Sequence, residues 1–483
     1  MATLDQVFRF LDAHLDDAIA DLRRFCRQPS VSAQGLGLEE CAALTAQLVK
    51  EAGLEAEVLP GLGGPPIVYG IGQGTANRTL LLYNHYDVQP PDPLEEWNSP
   101  PFEPVLAEGK VYARGVADTK GNIVARLWAL RAYREVTGSL PVTVKLLIEG
   151  EEEIGSPHFE SFLHQPSEQK RFAADVCLWE GSSVDWDGRP DIRLGVKGIL
   201  YVELEVRSAA RDLHSSWAAV VPNPAWRLLR ALETIKTADE RVLIPGFYQQ
   251  VRPAMPEELA SLETMPDEAK QSREAMGVAR LLGDVTGTEY WRRLLMEPTC
   301  NICGLESGYI VPGTKTVLPA WARAKLDFRL VPDQRPADIL QQLQRHLEQQ
   351  GFTDVTVRML AAEGPARSPM TAPFVRLVSE AANEVYGMAP GIRPSSPGTG
   401  PMAPVVDSLG VIVADSGVGY PDSRAHAPNE NIRIEDFAKG MKHIAAILHS
   451  LGVTGQEVTK SLIIERTRPK RGPSPHNYET TSK

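Results

Sequence analysis

Five cysteines scattered along 483 residues give no disulfide framework in a chain of this size. Cys300 and Cys303 form the one Cys-x-x-Cys pair. A structural zinc would need a second ligand pair, and none is near. The stretch around that pair reads as a strand, and the thiols as reduced. The chain also lacks an uninterrupted apolar run of the roughly 18 residues that a membrane span requires. It lacks an excess of base: its formal net charge of -12 argues against nucleic acid as a partner, since phosphate binding needs a basic face. Its start carries Asp5, Asp12, Asp16 and Asp17 rather than the basic and then apolar pattern of a secretory signal, which predicts a cytoplasmic protein.

What is present is an ordinary globular composition, 43% hydrophobic and 23% charged, with length for two or three domains. The central stretch is Leu80-Leu-Leu-Tyr-Asn-His-Tyr-Asp87, an apolar run of strand length that ends in His85 and Asp87. Asp118 follows in a Gly-bounded loop before Ile123, Val124, Leu127 and Leu130, whose spacing predicts a helix. A second buried strand, 142–148, leads to Glu149-Gly-Glu-Glu-Glu-Ile-Gly-Ser156, and a third, 175–179, ends at Glu180. Strands alternating with helices predict right-handed crossovers and a mainly parallel sheet, whose ligands bind at the carboxyl ends of the strands.

The rhythm changes after Gly198. In 321–330, Ala322, Ala324, Leu326, Phe328 and Leu330 share one face while Arg323, Lys325, Asp327 and Arg329 share the other. The fold class expected is therefore α/β: a mainly parallel catalytic sheet flanked by helices, with an inserted α+β domain whose antiparallel sheet has helices on one face. The boundaries read as 1–196 and 364–465 for the catalytic domain and 197–363 for the insertion. The tail, 466–483, with Arg466, Arg468, Lys470 and Arg471 among prolines, reads as a solvated, disordered end.

Singly, each polar residue has an ordinary explanation: His85 a hydrogen-bonded core residue, Asp118 a helix cap, Glu152 and Glu153 solvated loop groups, His426 a turn residue. Together, His85, Asp118, the glutamate cluster and Glu180 are metal-competent groups at one sheet edge. Crowded carboxylates repel one another unless cations neutralise them. A mixed imidazole and carboxylate set favours zinc, with manganese or cobalt as alternatives, in a centre of two divalent ions bridged by one Asp.

Four ordered motifs, Asn84-His-Tyr-Asp-Val-Gln-Pro90, Arg114-Gly-Val-Ala-Asp-Thr-Lys-Gly121, Glu149 to Ser156 and His426-Ala-Pro-Asn-Glu430, resemble the M20 family of di-metal peptidases and amidohydrolases. The resemblance implies that His85 and Glu180 bind one metal, Glu153 and His426 the other, and Asp118 both. It makes Glu152 the general base, acting on a water that bridges the metals, and Asp87 the group that orients His85. It also implies that the insertion is a lid and homodimerisation domain, with His214 an oxyanion donor, often to the neighbouring subunit's site. Asn223, Thr316 and Thr399 would contact substrate, and Arg329 would bind its carboxylate through a guanidinium fork. The bland reading of Arg329 is an ion pair with Asp327 or Glu205.

The implied activity is hydrolysis of the amide next to a C-terminal amino acid, foremost in a dipeptide. An N-acyl-amino-acid amidohydrolase with the same metals is the alternative, and a non-catalytic dimeric binding protein a remote one. Ser396 bears on the choice: carnosinase-type relatives carry Glu there, in Glu-Gly-Gly-Ser-x-Pro, where this chain has Ser396-Pro-Gly-Thr-Gly-Pro401.

Overall fold

The computed structural model describes residues 3–453. The tail expected at 466–483 lies outside them. Five strands of the first sheet come first: β1 (Glu55–Gly61), β2 (Gly64–Gly72), β3 (Gly74–His85), β4 (Leu140–Glu149) and β5 (Val176–Trp179). The chain then builds a second sheet from β6 (Gly198–Arg207), β7 (Thr299–Ser307), β8 (Trp321–Leu330) and β9 (Val355–Glu363). It returns to the first sheet with β10 (Ile412–Asp415). The first sheet runs β1-β2-β4-β3-β5-β10 and the second β7-β8-β6-β9.

Strands β4, β3, β5 and β10 are mutually parallel, as the alternation of strands with helices predicts. At the other edge β1 and β2 form an antiparallel hairpin, with β2 antiparallel to β4, so the sheet is mixed there. The turn Gly61 to Gly64 is too short for a crossover. Leu80, Leu82, Val144 and Leu146 pack on the helices Gly121–Thr137 and Ile434–Val453 in a large core. Leu81, Tyr83, Leu147 and Cys177, on the opposite face, join a separate cluster with Phe159 and Phe172. The second sheet is wholly antiparallel, and its Leu200, Val202, Leu326 and Phe328 bury against the helices Pro224–Glu233 and Pro336–Gln349.

Two features differ from the sequence reading. The spacing of Val7, Phe8, Leu11, Leu15, Ile19, Leu22 and Phe25 predicts one opening helix that stops before Pro29, but two form, Leu4–Ala13 and Leu15–Cys26, because His14 leaves helical geometry and its Nδ1 bonds the Phe10 carbonyl. Asp118 lies, as expected, in a turn, Val116–Lys120, where Asp118 and Thr119 leave helical geometry just before the helix Gly121–Thr137. Between 256 and 296 stand three unforeseen helices, gathered on Trp291 and Leu295 and tied to the rest by the buried Glu258–Arg367 ion pair (3.1 Å). No helix among the described residues is long and apolar enough to cross a membrane.

The long helix Ile434–Val453 carries a buried imidazole, His443. Its Nε2–H donates to the Val378 carbonyl (3.1 Å), and its Nδ1 accepts the Ser416 hydroxyl (2.9 Å), so it is held neutral. Burial presses its pKa down to about 4. Because the unfolded chain takes a proton there near pH 6.5, folding loses stability as pH falls through this window. The expected difference between pH 7 and pH 4.5 is about 2 to 3 kcal/mol. Urea midpoints at both pH values should show that much more acid destabilisation in the wild type than in His443→Gln.

Candidate metal centre

The parallel strands deliver the site. His85 is the last residue of β3, Glu149 the last of β4, and Glu180 directly follows β5. These three strands are neighbours, so their carboxyl ends converge on one crevice. Arg126, buried in the helix after Asp118, locks the ends together by donating to the Tyr83 carbonyl (2.5 Å), Asn84 Oδ1 (2.7 Å) and the Trp179 carbonyl (2.5 Å).

Asp118 stands between two imidazoles. Its Oδ1 lies 3.1 Å from His85 Nε2, and its Oδ2 3.1 Å from His426 Nε2. Glu180 Oε1 is 3.5 Å from His85 Nε2, and Glu153 Oε2 is 3.1 Å from His426 Nε2. Glu152 Oε2 approaches His85 Nε2 at 3.9 Å. One ligand atom each of His85, Asp118 and Glu153 lies within 4.8 Å of the others. His85 Nδ1–H donates to the Asp87 carbonyl (3.0 Å), which leaves Nε2 free to bind a cation.

The electrostatics report the same crowding. Burial pushes Glu152 well above the usual carboxylate range; Glu180, Glu153 and Asp118 add to this, and His85 opposes it. Burial lifts Glu180 to about 7. For His85 burial favours the neutral ring, but Glu180 and Glu152 outweigh it and raise it well above the imidazole range. Hydrogen bonds to Asp118 and Glu153 raise His426 to about 10. The donor set, two imidazoles and several carboxylates around one aspartate, fits divalent cations of the zinc, manganese or cobalt type.

Two buried acids hold this arrangement. Asp87 accepts the backbone N–H of Glu152 (3.2 Å) on Oδ1 and that of Glu153 (3.0 Å) on Oδ2, and its Oδ1 is 3.3 Å from His85 Nδ1. It therefore ties the glutamate loop to the histidine. Glu430 accepts N–H groups of Gly115, Ala117 and Asp118 and pairs with buried Arg114 at 2.7 Å, joining the Asp118 turn to the His426 loop. The motifs contain Glu430 and Arg114, but 316 residues separate them, and no local pattern signals their pairing. Asp87→Ala should lower metal affinity about 10- to 100-fold, measured by chelator competition, with the fold retained.

The remaining predicted residues fall into two groups. Arg329 Nη1 donates to Thr399 Oγ1 (2.7 Å), and Arg329 Nε contacts Asp327 Oδ2 (3.2 Å). The ion pair with Asp327 thus exists beside the Thr399 contact, while Glu205 pairs with Arg207. The loop carrying Thr399 lies on Glu152, since a Cβ on Gly400 would stand 3.3 Å from Glu152 Oε1. Ser396 Oγ accepts the Gly398 N–H within that loop. His214 Nε2 and Thr316 Oγ1 are 3.4 Å apart at a short, exposed pairing of two strands distant in sequence, and no hydrogen bond or ion pair among the described residues joins either to the cluster. Asn223 caps the helix Pro224–Glu233 by accepting the Ala225 N–H.

An open α/β sheet with imidazoles and carboxylates gathered at its carboxyl edge defines a metallohydrolase. Residues 81–450 match the model of peptidase family M20/M25/M40, and the chain belongs to that family. It is 27% identical to the Beta-Ala-His dipeptidase of Rattus norvegicus, over 94% of this chain and 97% of that one. It is likewise 27% identical to the Cys-Gly metallodipeptidase dug1 of Schizosaccharomyces pombe, over 93% and 98%. Among solved structures it resembles an M20 family metallo-carboxypeptidase from Sulfolobus solfataricus, with 39% identity and a TM-score of 0.86 over 90% of this chain and 99% of the other.

Proposed function

We propose that this chain hydrolyses dipeptides at the amide before the C-terminal amino acid, with two divalent cations, foremost zinc. His85 and Glu180 would hold one, Glu153 and His426 the other, and Asp118 both. One observation carries this reading: the two oxygens of Asp118 face different imidazoles at 3.1 Å each. When bound, such cations supply Lewis acidity to a water and to the amide carbonyl. Glu152, held at the side of His85, takes the proton of the attacking water and passes it to the leaving amine. Asp87 keeps His85 and the Glu152 backbone in register. Arg329 and Thr399 receive the substrate carboxylate. The names of the relatives support this reading: two are dipeptidases and one is a carboxypeptidase, all acting at a peptide's C-terminal residue or within a dipeptide.

The bounds proposed are 1–196 and 364–465 for the catalytic domain and 197–363 for a lid and dimerisation domain. The separate core of the second sheet supports the division. The exposed apolar side chains Trp217, Val220, Trp226, Ile310 and Val311 support a homodimer, since all five belong to the insertion and leave apolar surface for an interface. His214 in the same domain would then act as oxyanion donor to the partner's site, with Asn223 and Thr316 near the substrate. Five free thiols accord with a cytoplasmic protein.

Ser396 favours a second reading, removal of an N-acyl group, because its hydroxyl is turned into its own loop and offers no charge to an ammonium. Hydrolysis of a dipeptide panel and the matching N-acetyl amino acids by zinc-loaded enzyme separates the two. Dipeptides should be cleaved with the higher kcat/KM, and a preference for the acetylated set would replace the first reading with the second.

A further inference from the structure

The reaction described leaves Glu363 without a role, yet the sheet register puts it beside the machinery. Ile199 in β6 pairs with Arg329 of β8 on one side and with Glu363 of β9 on the other. Residues paired across strands share a face, so Arg329, Ile199 and Glu363 form one row. Their neighbours Phe328, Leu200 and Ala362 face the core on the other side of the sheet.

That row looks toward the strand ends of the first sheet. At one end is the Arg329–Thr399 contact. At the other, a Cβ on Gly155 would stand 3.3 Å from Glu363 Oε1. Glu152 adjoins both ends, one through Gly400, next to Thr399, and the other through its own turn, which ends at Gly155. Glu363 Oε2 is shut off from solvent and has no hydrogen-bond partner among the described residues. A buried carboxylate oxygen without a donor is costly, and a built site of this kind awaits one from a ligand.

We propose that Glu363 is a specificity residue that receives the free α-ammonium of the substrate, while Arg329 receives its carboxylate. The inference rests on the dipeptidase reading and gives it a ruler. The two backbones stand two strand spacings apart, about 10 Å. A dipeptide spans at most about 7 Å from ammonium nitrogen to carboxylate carbon. Its single amide then lies over Glu152. A longer peptide would have no cation to offer Glu363 at that distance, and an N-acyl amino acid none at all.

The test compares alanyl-leucine with propionyl-leucine, which differ only in the amino group, on zinc-loaded wild type, Glu363→Gln and Glu363→Asp. Glu363→Gln should lower kcat/KM for alanyl-leucine about 10- to 100-fold, mainly through KM, and leave propionyl-leucine within about threefold. Glu363→Asp, which keeps the charge, should recover part of the loss. A second readout needs no turnover: calorimetric affinity for alanyl-leucine should fall by a similar factor from Glu152→Ala to Glu152→Ala/Glu363→Gln. If wild type cleaves alanyl-leucine and Glu363→Gln slows both substrates equally, Glu363 is structural and the inference alone is overturned. If wild type cleaves propionyl-leucine and not alanyl-leucine, the dipeptidase reading falls and takes the inference with it.

Discussion

Glu152→Ala should lower kcat for dipeptide hydrolysis about 1,000-fold or more, with KM and bound metal nearly unchanged. A positioned general base contributes about 100- to 10,000-fold, and this site holds no obvious substitute. Glu153 and Glu180 are engaged with His426 and His85, and Asp118 with both imidazoles. Glu152 stands at the rim of the cluster with its proton affinity raised by burial and by neighbouring carboxylates, the state in which a carboxylate takes a proton readily. The expected split, a loss in kcat without loss of metal, separates a base from a ligand. Steady-state kinetics beside elemental analysis of the same preparation reads both, and retention of a tenth of the activity would contradict the assignment.

Asp118→Asn should have the second large effect, through the metals rather than the proton. An amide keeps the side chain's size but removes the charge shared by the two halves of the site. Without it the His85 and His426 sides lose their common anion, and one metal position or both should fall below half occupancy. Activity should drop about 1,000-fold or more, since cation and base act together. The fold should survive, because the Asp118 backbone stays tied to Glu430. Elemental analysis and thermal unfolding of the metal-free variant check the two halves of this expectation.

Much of this was legible in the sequence because the information is local. An apolar run announces a buried strand, and where it stops in His85 or Glu180 the chain announces the sheet edge. The alternation in 321–330 gave its strand to the residue, Trp321–Leu330, and put Arg329 on the polar face. Hence His85, Asp118, the glutamate cluster and Glu180 could be grouped before their distances were known, while His426 and the choice of Glu152 and Glu153 came from the resemblance of their motifs. What stayed hidden depends on long-range pairing. Glu430 reads as one more loop acid until Arg114 and three backbone N–H groups are placed around it. Glu363 carries no signal of its own in the sequence, and only the register through Ile199 sets it in line with Arg329. The helices in 256–296 are short and pack on their own small cluster around Trp291, so they carry too few turns for periodicity to show.

The most direct test of the central claim is a titration of metal-free protein with zinc, following bound metal and dipeptide hydrolysis together. Two equivalents per chain should bind, and activity should complete with the second. Full activity in the metal-free protein, or saturation without any hydrolysis of dipeptides or N-acyl amino acids, would contradict the account.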